Sequence, residues 1–144
     1  MRVDRICLLS FALIATPAHG LHAQAVPQQA LSCHGTQQAR QVAELLFGRD
    51  IGHRLGVGTR AWARFVAREI APRFPDGFTV TEASGQWRDR ADGTIVHEPS
   101  KRVEIVLPGT AGDDSRLDAI VSAYRRQFHQ QSVAVIVRPA CVSF

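Results

Sequence analysis

Phe78-Thr79-Val80-Thr81, running on toward Trp87, then Ala91-Asp92-Gly93, then Thr94-Ile95-Val96-His97 and onward to Leu107, is the stretch that decides the fold. β-branched and aromatic residues on both sides of an Asp-Gly turn mark two strands joined as a hairpin. In the second arm Val103, Ile105 and Leu107 alternate with Arg102, Glu104 and Val106, so one face of that strand points into a core. Gly85 invites a bulge in the first arm, and Pro99 is expected to interrupt the second. Pro108-Gly109 ends it.

Outward from the hairpin, each side carries one helix and then one strand. On the N-terminal side Trp62, Phe65, Val66 and Ile70 follow one another at helical spacing, with Thr59 placed to cap and Pro72, Pro75 and Asp76-Gly77 to stop the helix. Gly48, Gly52, Gly56 and Gly58 make the preceding stretch a loop, and Val42–Gly48 before it is a short apolar strand. On the C-terminal side Asp113, Asp114 or Ser115 can cap a helix whose stripe is Leu117, Ile120, Val121, Tyr124 and Phe128. Its acids suit the positive end of the dipole, and Arg125-Arg126 the other. Val133-Ala134-Val135-Ile136-Val137 is an unbroken β-branched run, expected as a strand central in the sheet or buried on both faces.

Strand, helix, strand, strand, helix, strand is the order of a split β-α-β unit. The expected fold is therefore α+β and ferredoxin-like, a four-stranded antiparallel sheet with two helices on one face. In that topology the start of the first strand meets the end of the last. Cys33 precedes the one and Cys141 follows the other.

The N-terminus sets the address. Arg2 and Arg5 precede the apolar run Ile6–Ala15, which is too short to span a bilayer, and Ala23-Gln24-Ala25 fits a signal peptidase site. Residues 1–25 read as a signal peptide, with Ala18-His19-Gly20 as an alternative cut. Residues 26–39 read as a flexible leader and 40–144 as a single domain. The mature chain is expected in the periplasm or outside the cell. Cys7 leaves with the signal, so Cys33 and Cys141 remain to pair as a disulfide in an oxidising compartment. Ala30-Leu31-Ser32 is a poor match to a lipidation signal before Cys33.

The chain carries a net charge of +4, nearly all of its basic residues being arginine, with Lys101 the only lysine. The arginines are scattered: Arg60, Arg64 and Arg68 form a row at helical spacing that reads as a solvated helix face. No basic cluster or second long apolar run is present, so neither nucleic acid nor a membrane span is expected.

Pro72-Arg73-Phe74-Pro75-Asp76-Gly77-Phe78-Thr79-Val80, Gly85-Gln86-Trp87-Arg88 and Glu98-Pro99-Ser100-Lys101 resemble, in that order, motifs of a family of secreted bacterial proteins known as domain of unknown function 3574. Leu46-Phe47-Gly48-Arg49 and the Ser132-Val133 strand entry are similar too. The resemblance covers roughly residues 40–144. It implies the extent of the domain and brings no activity, cofactor or catalytic residue with it.

The residues themselves offer two sets of chemistry-bearing groups. Asp76 is either a general base on a rigid loop or a turn residue before the strand at Phe78, and turn chemistry is the better account of Pro-Asp-Gly. In Gln86-Trp87-Arg88, strand alternation separates Trp87 from Gln86 and Arg88. If Trp87 enters the core, Gln86 and Arg88 stand on the open face, where Glu98 and Lys101 can join them as a polar pocket or a cross-strand network. Arg73 can hold an anion. Gly56-Val57-Gly58-Thr59, flanked by Arg54 and Arg60, is a weak candidate for an anion-binding loop. His34, His53, His97 and His129 are isolated, so neither metal nor cofactor is expected. No Gly-x-Ser-x-Gly, Ser-x-x-Lys or His-Glu-x-x-His occurs.

Two functions fit. One is a non-catalytic binding or interaction module, its ligand and partner unnamed by the sequence, with a homodimer through the sheet face as one form. The other is a small cofactor-independent enzyme on the open sheet face, using Asp76 or Glu98 as acid or base and Arg73 or Arg88 to hold an anion. An apolar sheet face favours the dimer and a charged one favours a small polar ligand.

Overall fold

A computed structural model describes residues 31–52 and 54–144. The expected signal segment, the start of the leader and His53 lie outside the described residues. The elements are β1 (Gln38–Gly48), α1 (Thr59–Phe65), β2 (Thr79–Arg88), β3 (Ile95–Val106), α2 (Asp113–Phe128) and β4 (Ala134–Val142). The strands form one antiparallel sheet in the order β2-β3-β1-β4, which is the ferredoxin-like arrangement. Among the described residues no helix is long and apolar enough to cross a membrane.

β1 alternates Ala43, Leu45 and Phe47, all fully buried, toward the helices. It starts at Gln38, four residues before the expected strand and inside the stretch assigned to the leader. Opposite it, Val103, Ile105 and Leu107 complete the predicted core face of the hairpin. Phe47 lies 4.8–6.0 Å, centroid to centroid, from the edge-on rings of Tyr124, Trp62 and Phe65, so this side chain is the hub of the core.

α1 runs into a π-helical turn, Val66–Ile70, closed by the Ala71 N–H on the Val66 carbonyl at 2.9 Å. The wider turn brings Ile70 under the core five residues after Phe65; both are fully buried, and Val66 only partly. Gly58, rather than Thr59, is the N-cap of α1. At α2 the N-cap is Gly112, and Asp113 turns back instead: its carboxylate accepts the Gly109 and Thr110 N–H groups at 2.8 and 3.1 Å and pairs with Arg116.

Three expectations give way. Pro99 does not interrupt β3, which runs unbroken through the Ser84–Pro99 pair. Its carbonyl accepts the Arg49 N–H, so the missing Pro99 N–H faces the same side, beyond the last β1 pair at Ser100, where the ladder has ended. Gly85 pairs regularly with Glu98 without a bulge. β4 is an edge strand paired only with β1, and Val135, Ile136 and Val137 are 40–46% exposed. A β-branched run suits any pleated surface, and here it reflects strand preference without double burial. At the far end of the β1–β4 ladder Ala39 faces Cys141, and Cys33 and Cys141 form the expected disulfide.

Candidate functional site

The side of the sheet away from the helices carries no second layer among the described residues. On it Glu44, Arg102, Glu104 and Arg138 form a ladder of ion pairs at 3.4–3.9 Å across β1, β3 and β4. The middle of this face is therefore charged, with Ile136 and Trp87 exposed on it beside the ladder.

Next to this ladder, where β2 begins, the same face holds a cavity of about 570 Å³. Strand alternation supplies its floor: Glu104 and Thr79 face each other across β3 and β2, and Val106 and Arg40 follow at the same parity on β3 and β1. The loop between α1 and β2 supplies its wall through Asp76 and Phe78. That loop turns as Pro-Asp-Gly predicts, with the Gly77 N–H on the Phe74 carbonyl and Gly77 at φ +130°. Asp76 is thus the turn residue expected of it, and it also stands in the cavity wall. A carboxylate wall, a guanidinium and an apolar strip suit a small molecule with one apolar part and one or two charged groups.

The expected Gln86–Arg88–Glu98–Lys101 cluster does not form. Trp87 stays out of the core, 36% exposed on the open face, and its indole N–H donates to Glu98 at 2.9 Å. The other Glu98 oxygen accepts the Asp50 N–H at 3.2 Å, so this carboxylate is occupied in fixing the sheet end. Gln86 and Arg88 lie on the opposite, helix-side parity and are exposed. Lys101 shares the parity of Val103 and Ile105, is buried and pairs with Glu82. Arg73, in the turn after the π-helical segment, is bound to Glu69 within that segment at 2.9 Å. In the Gly56–Thr59 loop the Gly56 and Val57 N–H groups both go to the Arg49 carbonyl at 2.9 Å, which leaves neither for an anion.

Sequence reasoning passed over Arg40, Thr79 and Glu104, and also Arg49 and Glu82. The parity of Thr79, Glu104 and Arg40 was readable from the alternation of their strands; that the Asp76 loop would fold over them was not. Two ionisable groups are clearly displaced at structural positions. For Asp113, burial works upward, but bonds from the Thr110 hydroxyl, Arg116 and two backbone N–H groups hold its carboxyl below the usual range. Burial pushes the Tyr124 phenol up, while its O–H donates to the Gly48 carbonyl at 2.7 Å. Among the described residues no three His, Cys, Asp or Glu side chains converge as a metal site would require.

The family described as "Protein of unknown function (DUF3574)" matches residues 42–144. No curated protein matches the sequence. Among solved structures the chain is similar to a phage SAM lyase in complex with S-methyl-5'-thioadenosine, at 17% identity and a TM-score of 0.58, over 79% of this chain and 95% of that one. A phage SAM lyase in the apo state matches at 20% identity and 0.55, over 79% and 91%. At these identities the likeness is one of fold.

Proposed function

The chain belongs to the DUF3574 family, and we propose that it is an exported binding module that holds a small organic ligand on its open sheet face without converting it. The cavity carries this reading. Its volume of about 570 Å³ lies within the roughly 300–1,000 Å³ range of small-molecule sites. Arg40 can meet a carboxylate, Asp76 and Glu104 a cationic group, and Phe78 and Val106 an apolar body. The charged ladder beside it favours a polar ligand over a second copy stacked face to face. Export is supported by the Arg-flanked apolar run at the N-terminus and by the Cys33–Cys141 disulfide. The mature chain begins after residue 25, or after residue 20 at the alternative cut, and its residues 40–144 form one domain.

The test is amide NMR of the oxidised mature chain against a panel of amino acids, amines and nucleosides, with S-methyl-5'-thioadenosine included as a probe. Saturable shifts at Thr79, Phe78 and Val106, lost in Val106→Trp, support the proposal. No saturable shift from any member at millimolar concentration counts against it.

A second reading is favoured by one observation, the position of Asp76 in the cavity wall. There it could act as a general base on a ligand anchored by Arg40. Incubating the protein with SAM and with the ligands found by NMR, followed by chromatography, separates the two readings. Turnover that disappears in Asp76→Asn establishes the enzyme, and bound but unchanged ligand establishes the module.

A further inference from the structure

Lys101 and Arg49 bring two cations into the helix-side end of the sheet, with side chains only 9% and 10% exposed. The carboxylate that reaches them among the described residues is Glu82, whose own side chain is 70% exposed. It bonds Lys101 directly and lies 3.7 Å from Arg49. Buried charge is costly unless paired, and two buried cations share one surface carboxylate here.

The cations are fixed independently of that partner. Arg49 gives its backbone N–H to Pro99, accepts the N–H groups of Gly56 and Val57, and donates Nε to the Val57 carbonyl at 2.8 Å. Its Nη1 lies 3.7 Å from the Glu82 carboxylate. Lys101 is held by its register between Phe47 and Glu82, with Nζ 5.9 Å from the Trp62 ring centroid. Glu82 sits on the edge strand β2, and nothing but the two cations holds its carboxylate among the described residues. The hydrogen bond from Lys101 keeps that carboxyl below its usual range. On the opposite face, Glu98 is engaged by Trp87 and Asp50 and does not compete.

We propose that Arg49 and Lys101 form a binding site for a compact oxyanion, such as inorganic phosphate or the terminal phosphate of a larger molecule, which Glu82 occupies when the anion is absent. A phosphate oxygen would take the place of the Glu82 carboxylate between a point-charge ammonium and a forked guanidinium. The Glu82 side chain would turn outward into the solvent that already surrounds most of it. This site stands apart from the open-face cavity and does not depend on it.

The experiment is a titration of the oxidised mature chain with inorganic phosphate, followed through the Arg49 Nε–H and Trp62 indole N–H resonances. Saturable binding is expected in the wild type, tighter by about two- to fivefold in Glu82→Gln, because an exposed competing carboxylate is removed. Glu82→Ala should act in the same direction. Lys101→Met should abolish the response while the near-UV dichroism of the fold persists. A parallel titration with phenyl phosphate tells free phosphate from a phosphoryl group on an organic ligand, by which of the two binds more tightly. Absence of saturable binding in both wild type and Glu82→Gln overturns the proposal, and so does equal affinity in the two. If Lys101→Met does not fold, the Glu82 variants decide the matter alone.

Discussion

Breaking the Cys33–Cys141 disulfide should cost this domain a large share of its stability, by an amount that follows from chain length. The two cysteines are 108 residues apart, so the bond closes nearly the whole described chain into one loop. In the chain-entropy treatment a loop of that size restricts the unfolded state by about 4.8 kcal/mol at 25 °C. Domains of this size lose about 4 °C of melting temperature per kcal/mol, so the Cys33→Ala/Cys141→Ala variant should melt about 16–20 °C below the oxidised protein. The native contacts should change little, because the neighbouring Ala39–Cys141 and Gln38–Val142 pairs are backbone ladder positions that need no sulfur. Equilibrium guanidinium unfolding by far-UV dichroism gives the number, with the oxidised wild type, the reduced wild type and the double variant compared. The reduced wild type and the variant should coincide. A loss below about 1 kcal/mol in both would refute the reasoning, since it would mean that the unfolded chain is already as restricted without the bond as with it.

Three further outcomes test the core and the sheet end. Phe47→Ala removes the fully buried ring at the centre of the aromatic cluster and should cost about 3–5 kcal/mol in the same unfolding assay. Asp113→Asn should cost about 1–3 kcal/mol at neutral pH, through weakened bonds to the Gly109 and Thr110 N–H groups and to Arg116. Because the folded carboxyl titrates below its usual value of 3.8, the stability it adds is present above that pH and lost as pH falls further. Wild type and variant should therefore converge as pH falls below that value, and a gap that does not narrow there would count against this assignment. Gly48→Ala places a Cβ 2.6 Å from the Glu98 carboxylate oxygens, so that flexible side chain must leave Trp87 and Asp50. The expected results are a loss of about 1–3 kcal/mol and a shift in tryptophan emission; unchanged emission would mean that Glu98 tolerates the methyl in place.

The parts of the fold that were legible share one physical origin. Alternation in Val103, Ile105 and Leu107, the helical stripe of α2 and the cysteines before the first strand and at the end of the last each report a local rule that the tertiary structure reinforces. The same alternation, counted two residues back from Val103, already puts Lys101 on the core face and Glu98 on the other. The expected four-residue cluster thus failed on parity that the sequence contains. Trp87 failed on the same parity: seven residues on from Val80, with regular pairing between, it falls on the open face. β1 pairs with β3 only as far as Ser100, while β2 and β3 continue to the Arg88–Ile95 pair. The hairpin therefore overhangs the sheet, and the segment holding Gln86, Trp87 and Arg88 projects past the end of β1. Past the end of β1 the indole lies over the open face and spends its N–H on Glu98. Where one strand outlasts its neighbour is a tertiary fact set by the loop after Gly48 and its bonds to Arg49, and a period-two pattern does not record it. The cavity has the same character. Arg40, Thr79 and Glu104 read as ordinary polar positions of three strands, and they become the floor of a site only because the Asp76 turn closes over them.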